Sequence, residues 1–137
     1  MSNHIDMGRL YFEEGIPGFP HLRFFQLVQD EVDSPIFSMY SIEDSLIRFW
    51  LVDPFVFYKD YEFALKDHYK EMLKITEETQ LIVLNIATAR SNQVTVNLKA
   101  PIVINFDNKM AKQIILEDDR YNLRQPLLQA QENQTSE

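Results

Sequence analysis

The stretch VTVNLKAPIVIN, residues 94–105, decides the fold that we expect for this chain. Two short runs of β-forming residues flank a central Leu-Lys-Ala-Pro. In the first run Val94, Val96 and Leu98 alternate with polar residues, which is typical of a strand buried on one face. Pro101 has no N–H to donate, so it interrupts the ladder before the second run begins.

Other short apolar runs recur along the chain at intervals of about 10 to 12 residues, with polar breaks between them. Residues 81–87 are apolar on both faces, as expected of a central strand. We therefore predict a mostly β chain of seven to eight short strands, which closes into a small antiparallel barrel or packs as two sheets to hide its edges. The remaining predicted strands cover residues 10–12, 23–28, 36–41, 46–52, 102–105 and 111–116.

One short helix is predicted where the hydrophobic period changes. Apolar residues recur at helical spacing across residues 62–73, and acidic residues near the start suit the positive end of a helix dipole. The alternation of Tyr61, Phe63 and Leu65 also fits an extended chain, which leaves open a helix that begins only near Asp67.

The length and composition indicate one domain. The chain has 137 residues, of which 45% are hydrophobic, enough to build a single core. Residues 125–137 are mostly polar and cannot bury enough surface to offset their ordering entropy. We expect a single β domain over residues 1–124, followed by a disordered polar tail over 125–137.

The net charge of −8 sets the electrostatic sign of possible partners. A polyanion such as RNA would be repelled, whereas a basic protein would be attracted. The alternative is that the negative charge only keeps the chain soluble, and the sequence leaves this open. The N-terminus has no apolar signal segment, and the longest apolar runs are far shorter than the ~20 residues of a membrane helix. We expect a cytoplasmic monomer.

The residues that carry chemistry form no recognisable catalytic pattern. The three histidines, His4, His21 and His68, have no metal-ligand spacing and no motif with Ser or Asp. Cysteine is absent, and neither a P-loop nor a dinucleotide-binding glycine motif occurs. We expect no enzyme, cofactor or metal. The aromatic residues favour core packing first and protein contact second, while a barrel with an aromatic-lined ligand cavity is the alternative function.

Several segments, in their order and spacing, make the chain resemble the flagellar assembly factor FliW family. The resemblance spans residues 9–124, nearly the whole predicted domain. The matching segments are FEEGIPGF at residues 12–19, FWLVDP at 49–54, YE at 61–62, VTVNLKAPI at 94–102 and QIIL at 113–116, with Tyr121 near the end.

The resemblance implies a mostly β, non-enzymatic regulator that works by partner switching. Proteins similar to FliW bind flagellin, the filament subunit, and also the RNA-binding translational regulator CsrA, which they stop from repressing flagellin mRNA. Accumulated flagellin occupies the FliW-like protein and frees CsrA, so that flagellin synthesis falls. No direct contact with nucleic acid or membrane is implied.

Nine residues are candidates for partner contact. We expect the segment Asn97, Leu98, Lys99, Ala100 and Pro101 to form an exposed strand end that a partner touches. The alternative is that Pro101 ends strand pairing at a bend while Leu98 packs inward. The other four candidates, taken from the matching segments and from the acidic run near the end, are Asp53, Glu117, Asp118 and Tyr121.

Overall fold

The strands and helices were located in a computed structural model, which describes residues 4–127. The predicted mostly β fold is confirmed: nine strands and two short helices lie within this range. The predicted tail lies outside it from residue 128 onward. The elements are β1 Ile5–Tyr11, β2 Phe24–Gln29, β3 Ile36–Ser41, β4 Arg48–Val52, α1 Pro54–Phe57, α2 Asp67–Met72, β5 Leu81–Arg90, β6 Gln93–Val96, β7 Ile102–Asn105, β8 Met110–Gln113 and β9 Gln125–Pro126.

Seven of the strands close into a barrel. Their order is β4-β3-β2-β1-β8-β7-β5, and β5 pairs again with β4 to complete the ring. Neighbouring strands are antiparallel except at the contact of β1 with β8, where only Tyr11 and Met110 are in parallel register. Closure removes most of the free edges that a sheet of this size would otherwise expose.

The quoted stretch lies where β5 changes its neighbour. The first half of β5 pairs with β7, ending at Leu84 opposite Ile102, and the second half pairs with β6, starting at Ala87 opposite Val96. Residues 97–101 connect these two neighbours. The predicted interruption at Pro101 is therefore the point at which the chain leaves β6 and enters the barrel through β7.

Two clusters of buried side chains lie on opposite faces of this sheet. The inner core fills the barrel and draws on all seven of its strands. The outer core lies on the outside of β5 and β7, where segments without regular structure cover it. All four residues of β7 are buried, because the strand lies between the two cores: Ile102 and Ile104 belong to the inner core, Val103 belongs to the outer core, and Asn105 is a buried polar residue. The inner core comprises Leu10, Phe12, Ile16, Leu22, Phe25, Leu27, Phe37, Met39, Leu51, Leu84, Ile102, Ile104 and Ala111; the outer core comprises Val52, Tyr61, Leu73, Ala87, Val96, Leu98, Val103, Ile114 and Leu116.

The helices differ from the prediction. The helix expected over residues 62–73 is wrong in its first part, because α2 begins at Asp67, the later start that the sequence left open. Residues 61–66 form neither helix nor strand. Their alternating residues Tyr61, Phe63 and Leu65 belong to the outer core or pack against it, so tertiary burial holds this segment extended.

A second helix, α1, was not predicted. Asp53 caps it, because its carboxylate accepts a hydrogen bond from the N–H of Phe55 at 3.0 Å, and Pro54 occupies the first helical position. Four residues are too few to give a helical period, so only the capping signal could have indicated it.

The end of the described chain is also paired. The predicted last strand over residues 111–116 ends at Gln113, since the following residues bond to the 97–101 connection instead. Gln125 and Pro126 form β9 beside Val96 and Thr95 of β6. This pairing lies just after residue 124, where the sequence analysis places the end of the domain. No helix among residues 4–127 is long and apolar enough to cross a membrane.

Candidate functional site

The predicted contact segment, residues 97–101, is a buried connection at the end of β6. Leu98 and Ala100 are 4% and 1% exposed, and Pro101 is buried as well. The expectation of an exposed strand end is wrong for these three residues. The alternative reading, in which pairing ends at a bend and Leu98 packs inward, describes the structure. Asn97 and Lys99 keep partial exposure, and for these two a partner contact stays a prediction.

Tyr61 fixes this connection from the far side of the outer core. Its hydroxyl donates to the carbonyl oxygen of Leu98 at 2.7 Å and accepts from the side-chain amide of Asn85 at 3.3 Å. The same amide donates to the carbonyl oxygen of Asn97 at 2.8 Å. Burial raises the pKa of Tyr61 to about 12, because the surrounding side chains disfavour the charged phenolate. The hydroxyl therefore remains a donor to Leu98 at neutral pH.

Residues 114–118 run alongside the same connection. The N–H of Ile114 donates to the carbonyl oxygen of Pro101 at 2.9 Å, and that of Leu116 to the carbonyl oxygen of Lys99 at 2.7 Å. The Lys99 ammonium then reaches the carbonyl oxygen of Asp118 at 3.2 Å. Lys99 and Asp118, two of the residues predicted to contact a partner, are 19 positions apart in sequence and belong to one structural unit.

A groove of about 450 Å³ opens between this unit and the segment before α2. We call it the outer groove, because it lies over the outer core. Ile114, Leu116 and Phe63 supply its apolar surface, and five charged side chains line the rest. Its full lining comprises Glu62, Phe63, Ala64, Lys66, Tyr69, Ile114, Leu116, Glu117, Asp118 and Arg120.

The charges of the outer groove are arranged in pairs. Arg120 binds the Asp118 carboxylate through two nitrogens, with Nη2 2.7 Å from Oδ2, and its Nη1 lies 3.6 Å from Glu62. Lys66 lies 3.8 Å from Glu117. The hydrogen bonds from Arg120 hold the pKa of Asp118 below its usual range, so the carboxylate stays ionised. Exposed pairs of this kind exchange partners at small free-energy cost, because water screens them.

Tyr121 lies beside the outer groove and contacts both Tyr61 and Glu62. Its ring packs edge-on against Tyr61, with 4.7 Å between the centroids. Its hydroxyl accepts from the N–H of Glu62 at 2.9 Å and donates to the carbonyl oxygen of the same residue at 2.9 Å. Tyr121 therefore holds the segment before α2 in place beside the outer groove.

The predicted site residues separate into two groups. Glu117 and Asp118 line the outer groove, Lys99 is bonded to Asp118, and Tyr121 braces the groove wall. Asp53 instead caps α1. Among the polar residues that line the outer groove, the sequence reasoning missed four. Glu62 was part of a matching segment and could have been found; the other three, Lys66, Tyr69 and Arg120, carried no sequence signal.

The fold and the groove define a small closed β-barrel domain with an external groove. The sequence pattern of the FliW protein family matches residues 3–127. The flagellar assembly factor FliW of Caldanaerobacter subterraneus subsp. tengcongensis is 39% identical over 127 residues, which cover 90% of this chain and 85% of that relative. The flagellar assembly factor FliW of Clostridium botulinum strain Okra is 40% identical over 121 residues, covering 86% and 84%.

A solved structure agrees with the sequence comparison. A crystal structure of the flagellar assembly factor FliW superposes with a TM-score of 0.81 at 36% sequence identity, covering 88% of this chain and 86% of that one. The chain therefore belongs to the FliW family, as its sequence segments had indicated.

Proposed function

We propose that this protein is a flagellar assembly factor that binds flagellin and the translational regulator CsrA in turn, and so relieves the repression of flagellin mRNA translation. Family membership over residues 3–127 is the observation that carries the proposal. The protein acts in the cytoplasm as a monomer, by occupying its partners and without transforming a substrate.

The charge of the chain supports this assignment. The chain has 21 acidic and 13 basic residues, and this excess of negative charge attracts a basic RNA-binding protein and repels RNA that approaches the complex. Such a charge would speed encounter with CsrA and leave the final fit to local contacts.

The outer groove is the contact site that we propose for one of these partners. It offers apolar floor residues beside ion pairs that water already screens, so an arriving side chain replaces a partner at little cost. Glu117 is the most available of its carboxylates, because its side chain is 87% exposed and its Lys66 partner lies at 3.8 Å.

Calorimetry of the purified full chain with CsrA, in the absence and presence of flagellin, tests the partner switch. We expect binding to CsrA that disappears when flagellin saturates the protein. Independent binding of both partners at once would overturn the switch, and failure to bind either at micromolar concentration would overturn the function.

The Lys99→Glu variant tests the contact site separately. The change removes the ammonium that donates to Asp118 and places a third carboxylate beside Glu117 and Asp118. We expect weaker capture of flagellin or CsrA with unchanged folding. Lys99→Gln is the matched control, because it keeps a donor and adds no negative charge, and we expect a smaller loss. Unchanged affinity of Lys99→Glu for both partners would place the contact elsewhere on the surface.

The alternative function, a ligand-binding barrel with an aromatic-lined cavity, gains no support from the interior. Phe12 and Phe25 pack edge to face inside the barrel with 5.4 Å between ring centroids, and neither is exposed. These rings occupy the space that an enclosed ligand would need.

A further inference from the structure

Strand pairing in the barrel is incomplete between β4 and β5. Register between the two strands covers three pairs and ends at Trp50 opposite Ala87. Beyond that pair β5 continues to Arg90, while β4 extends back to Arg48. The strands diverge there around an open wedge of about 560 Å³, which we call the seam. The seam is lined by Arg48, Phe49, Trp50, Ile86, Ala87, Thr88 and Ala89.

Both walls of the seam present backbone edges. The carbonyl oxygen of Ile86 accepts from Asn97 on the β6 side, so the N–H and C=O of Ala89 point the other way, toward β4. The carbonyl oxygen of Ile47 accepts from the N–H of Ser41 on the β3 side. The N–H and C=O of the next residue, Arg48, therefore point the other way, toward β5. Since register stops at Trp50, neither Arg48 nor Ala89 has a strand partner across the seam among residues 4–127.

An apolar anchor lies at the closed end of the seam. Trp50 is 50% exposed, although it is the only tryptophan of the chain and its neighbours Leu51 and Val52 are buried. A half-exposed tryptophan beside unpaired strand edges matches the composition of protein-binding hot spots. The guanidinium of Arg48 stacks over the Tyr40 ring at 4.9 Å, which holds it at the mouth of the seam.

The charge around the seam is opposite to that of the whole chain. A second groove of about 330 Å³ shares Ile86 and Thr88 with the seam and is lined further by Arg90 and Arg124. Three arginines and no Asp or Glu line these two adjoining grooves. In a chain of net charge −8, such a local reversal selects for an acidic partner.

We propose that the seam binds a short extended acidic segment of a partner protein, which adds as a strand between Arg48 and Ala89. Its backbone pairs with the two open edges, and its apolar side chains cover Trp50 on one face of the added strand. Its carboxylates lie on the other face, toward Arg90, while Arg48 lies beside Trp50 and adds to the positive charge of the seam. This surface is separate from the outer groove, so the proposal stands whether or not that groove contacts flagellin or CsrA.

Fluorescence of Trp50 tests the proposal on the full chain, because no other tryptophan contributes. The probe is a blocked peptide of alternating glutamate and valine. We expect a saturable blue shift of the emission as the indole leaves water. A peptide with lysine in place of glutamate and a backbone N-methylated glutamate–valine peptide should both fail to produce it.

The paired variants Arg48→Glu and Arg90→Glu, combined in one chain, should weaken the glutamate–valine peptide by about tenfold or more. Lys59→Glu combined with Lys70→Glu is the matched control, because the pair makes the same change of charge at residues that line neither of the two grooves, and should leave binding unchanged. If the double reversal unfolds the protein, Arg48→Gln with Arg90→Gln removes the two charges while keeping a polar side chain at each position.

Four results would overturn the proposal. The first is that the glutamate and lysine peptides bind equally well. The second is that the arginine variants bind the glutamate–valine peptide as tightly as the wild type does. The third is a wild-type dimer that Arg48→Glu converts to a monomer, because a second copy of the chain would then occupy the seam. The fourth is stronger quenching of Trp50 by a single-stranded oligonucleotide than by the acidic peptide.

Discussion

The inner and outer cores are both buried, but they are held in different ways. The inner core is formed by apolar residues that lie in the strands, except for Phe12, Ile16 and Leu22 in the connection between β1 and β2. The outer core is covered by the 61–66 segment, the 97–101 connection and residues 114–121, none of which forms regular structure. Side-chain hydrogen bonds from Tyr61, Asn85 and Tyr121 fix these segments in place.

This difference separates stability from binding in the molecule. Outside the seam, the barrel satisfies its backbone through its own strand ladder and needs no particular side chain to do so. The outer segments depend on a few polar side chains, and the outer groove is built from them. We therefore expect substitutions in the inner core to act on global unfolding, and those in the outer core to act first on the groove.

The largest expected effect comes from emptying the inner core. Phe25→Ala removes a fully buried ring that packs on Phe12 and Phe49, and should cost about 3–5 kcal/mol of unfolding free energy. Urea unfolding measures the loss. The matched control is Phe24→Ala. The Phe24 ring is 40% exposed and contacts Tyr11, so its removal should lower the unfolding free energy by about 1 kcal/mol. Equal costs for the two variants would contradict a ring-filled barrel.

A smaller effect is expected from cutting the hydrogen bonds of the outer core. Tyr61→Phe leaves the buried carbonyl of Leu98 without its donor and should cost about 1–2 kcal/mol. Amide hydrogen exchange should quicken around residues 97–101, while the inner barrel strands keep their protection.

The control for that comparison is Tyr121→Phe. Its hydroxyl bonds to the exposed backbone of Glu62, where water can replace it, so the cost should be below that of Tyr61→Phe. A larger loss for Tyr121→Phe, or faster exchange throughout the barrel in the Tyr61 variant, would show that the two cores are not energetically separate.

The last effect is a dependence of stability on alkaline pH. Burial raises the pKa of both Tyr58 and Tyr61 to about 12, from an ordinary value of about 10. Below pH ~10 these phenols keep their protons in both the folded and unfolded states. Between pH ~10 and ~12 the unfolded chain releases them first, so stability should fall as the pH rises.

Urea midpoints measured from pH ~9 to ~11 would test this dependence. The combined variant Tyr58→Phe with Tyr61→Phe should show a flatter profile than the wild type over that range. The same slope in both proteins would mean that these two tyrosines do not titrate differently on folding.

Much of the barrel could be predicted from local pattern. Residues 102–105 and 36–41 form strands with the predicted bounds, because short apolar runs between polar breaks suffice to specify them. The helix that was predicted from residue 62 begins at Asp67, because the outer core holds Tyr61, Phe63 and Leu65 in an extended segment. Local periodicity cannot show which of two compatible conformations a neighbouring core will select.

The candidate site was predicted only in part, for a similar reason. Glu117 and Asp118 do line the outer groove, and Asp118 accepts a hydrogen bond from Lys99, while Tyr121 bonds to Glu62. The burial of Leu98 depends on Tyr61, which lies 37 positions away, and no local feature of the sequence indicates that contact. The seam depends on where β4 stops pairing with β5, which is a property of barrel closure.

The sequence by itself determined the β character of the chain, the interruption at Pro101, the sign of its charge and its family. Those features follow from side-chain chemistry and from spacing along the chain. Only the tertiary structure decided that the 97–101 connection is buried, that its neighbours enclose a groove and that β4 and β5 leave an open seam. The physical reason is that these features arise from contacts between distant segments, whose geometry is fixed when the sheet closes and two cores form on its opposite faces.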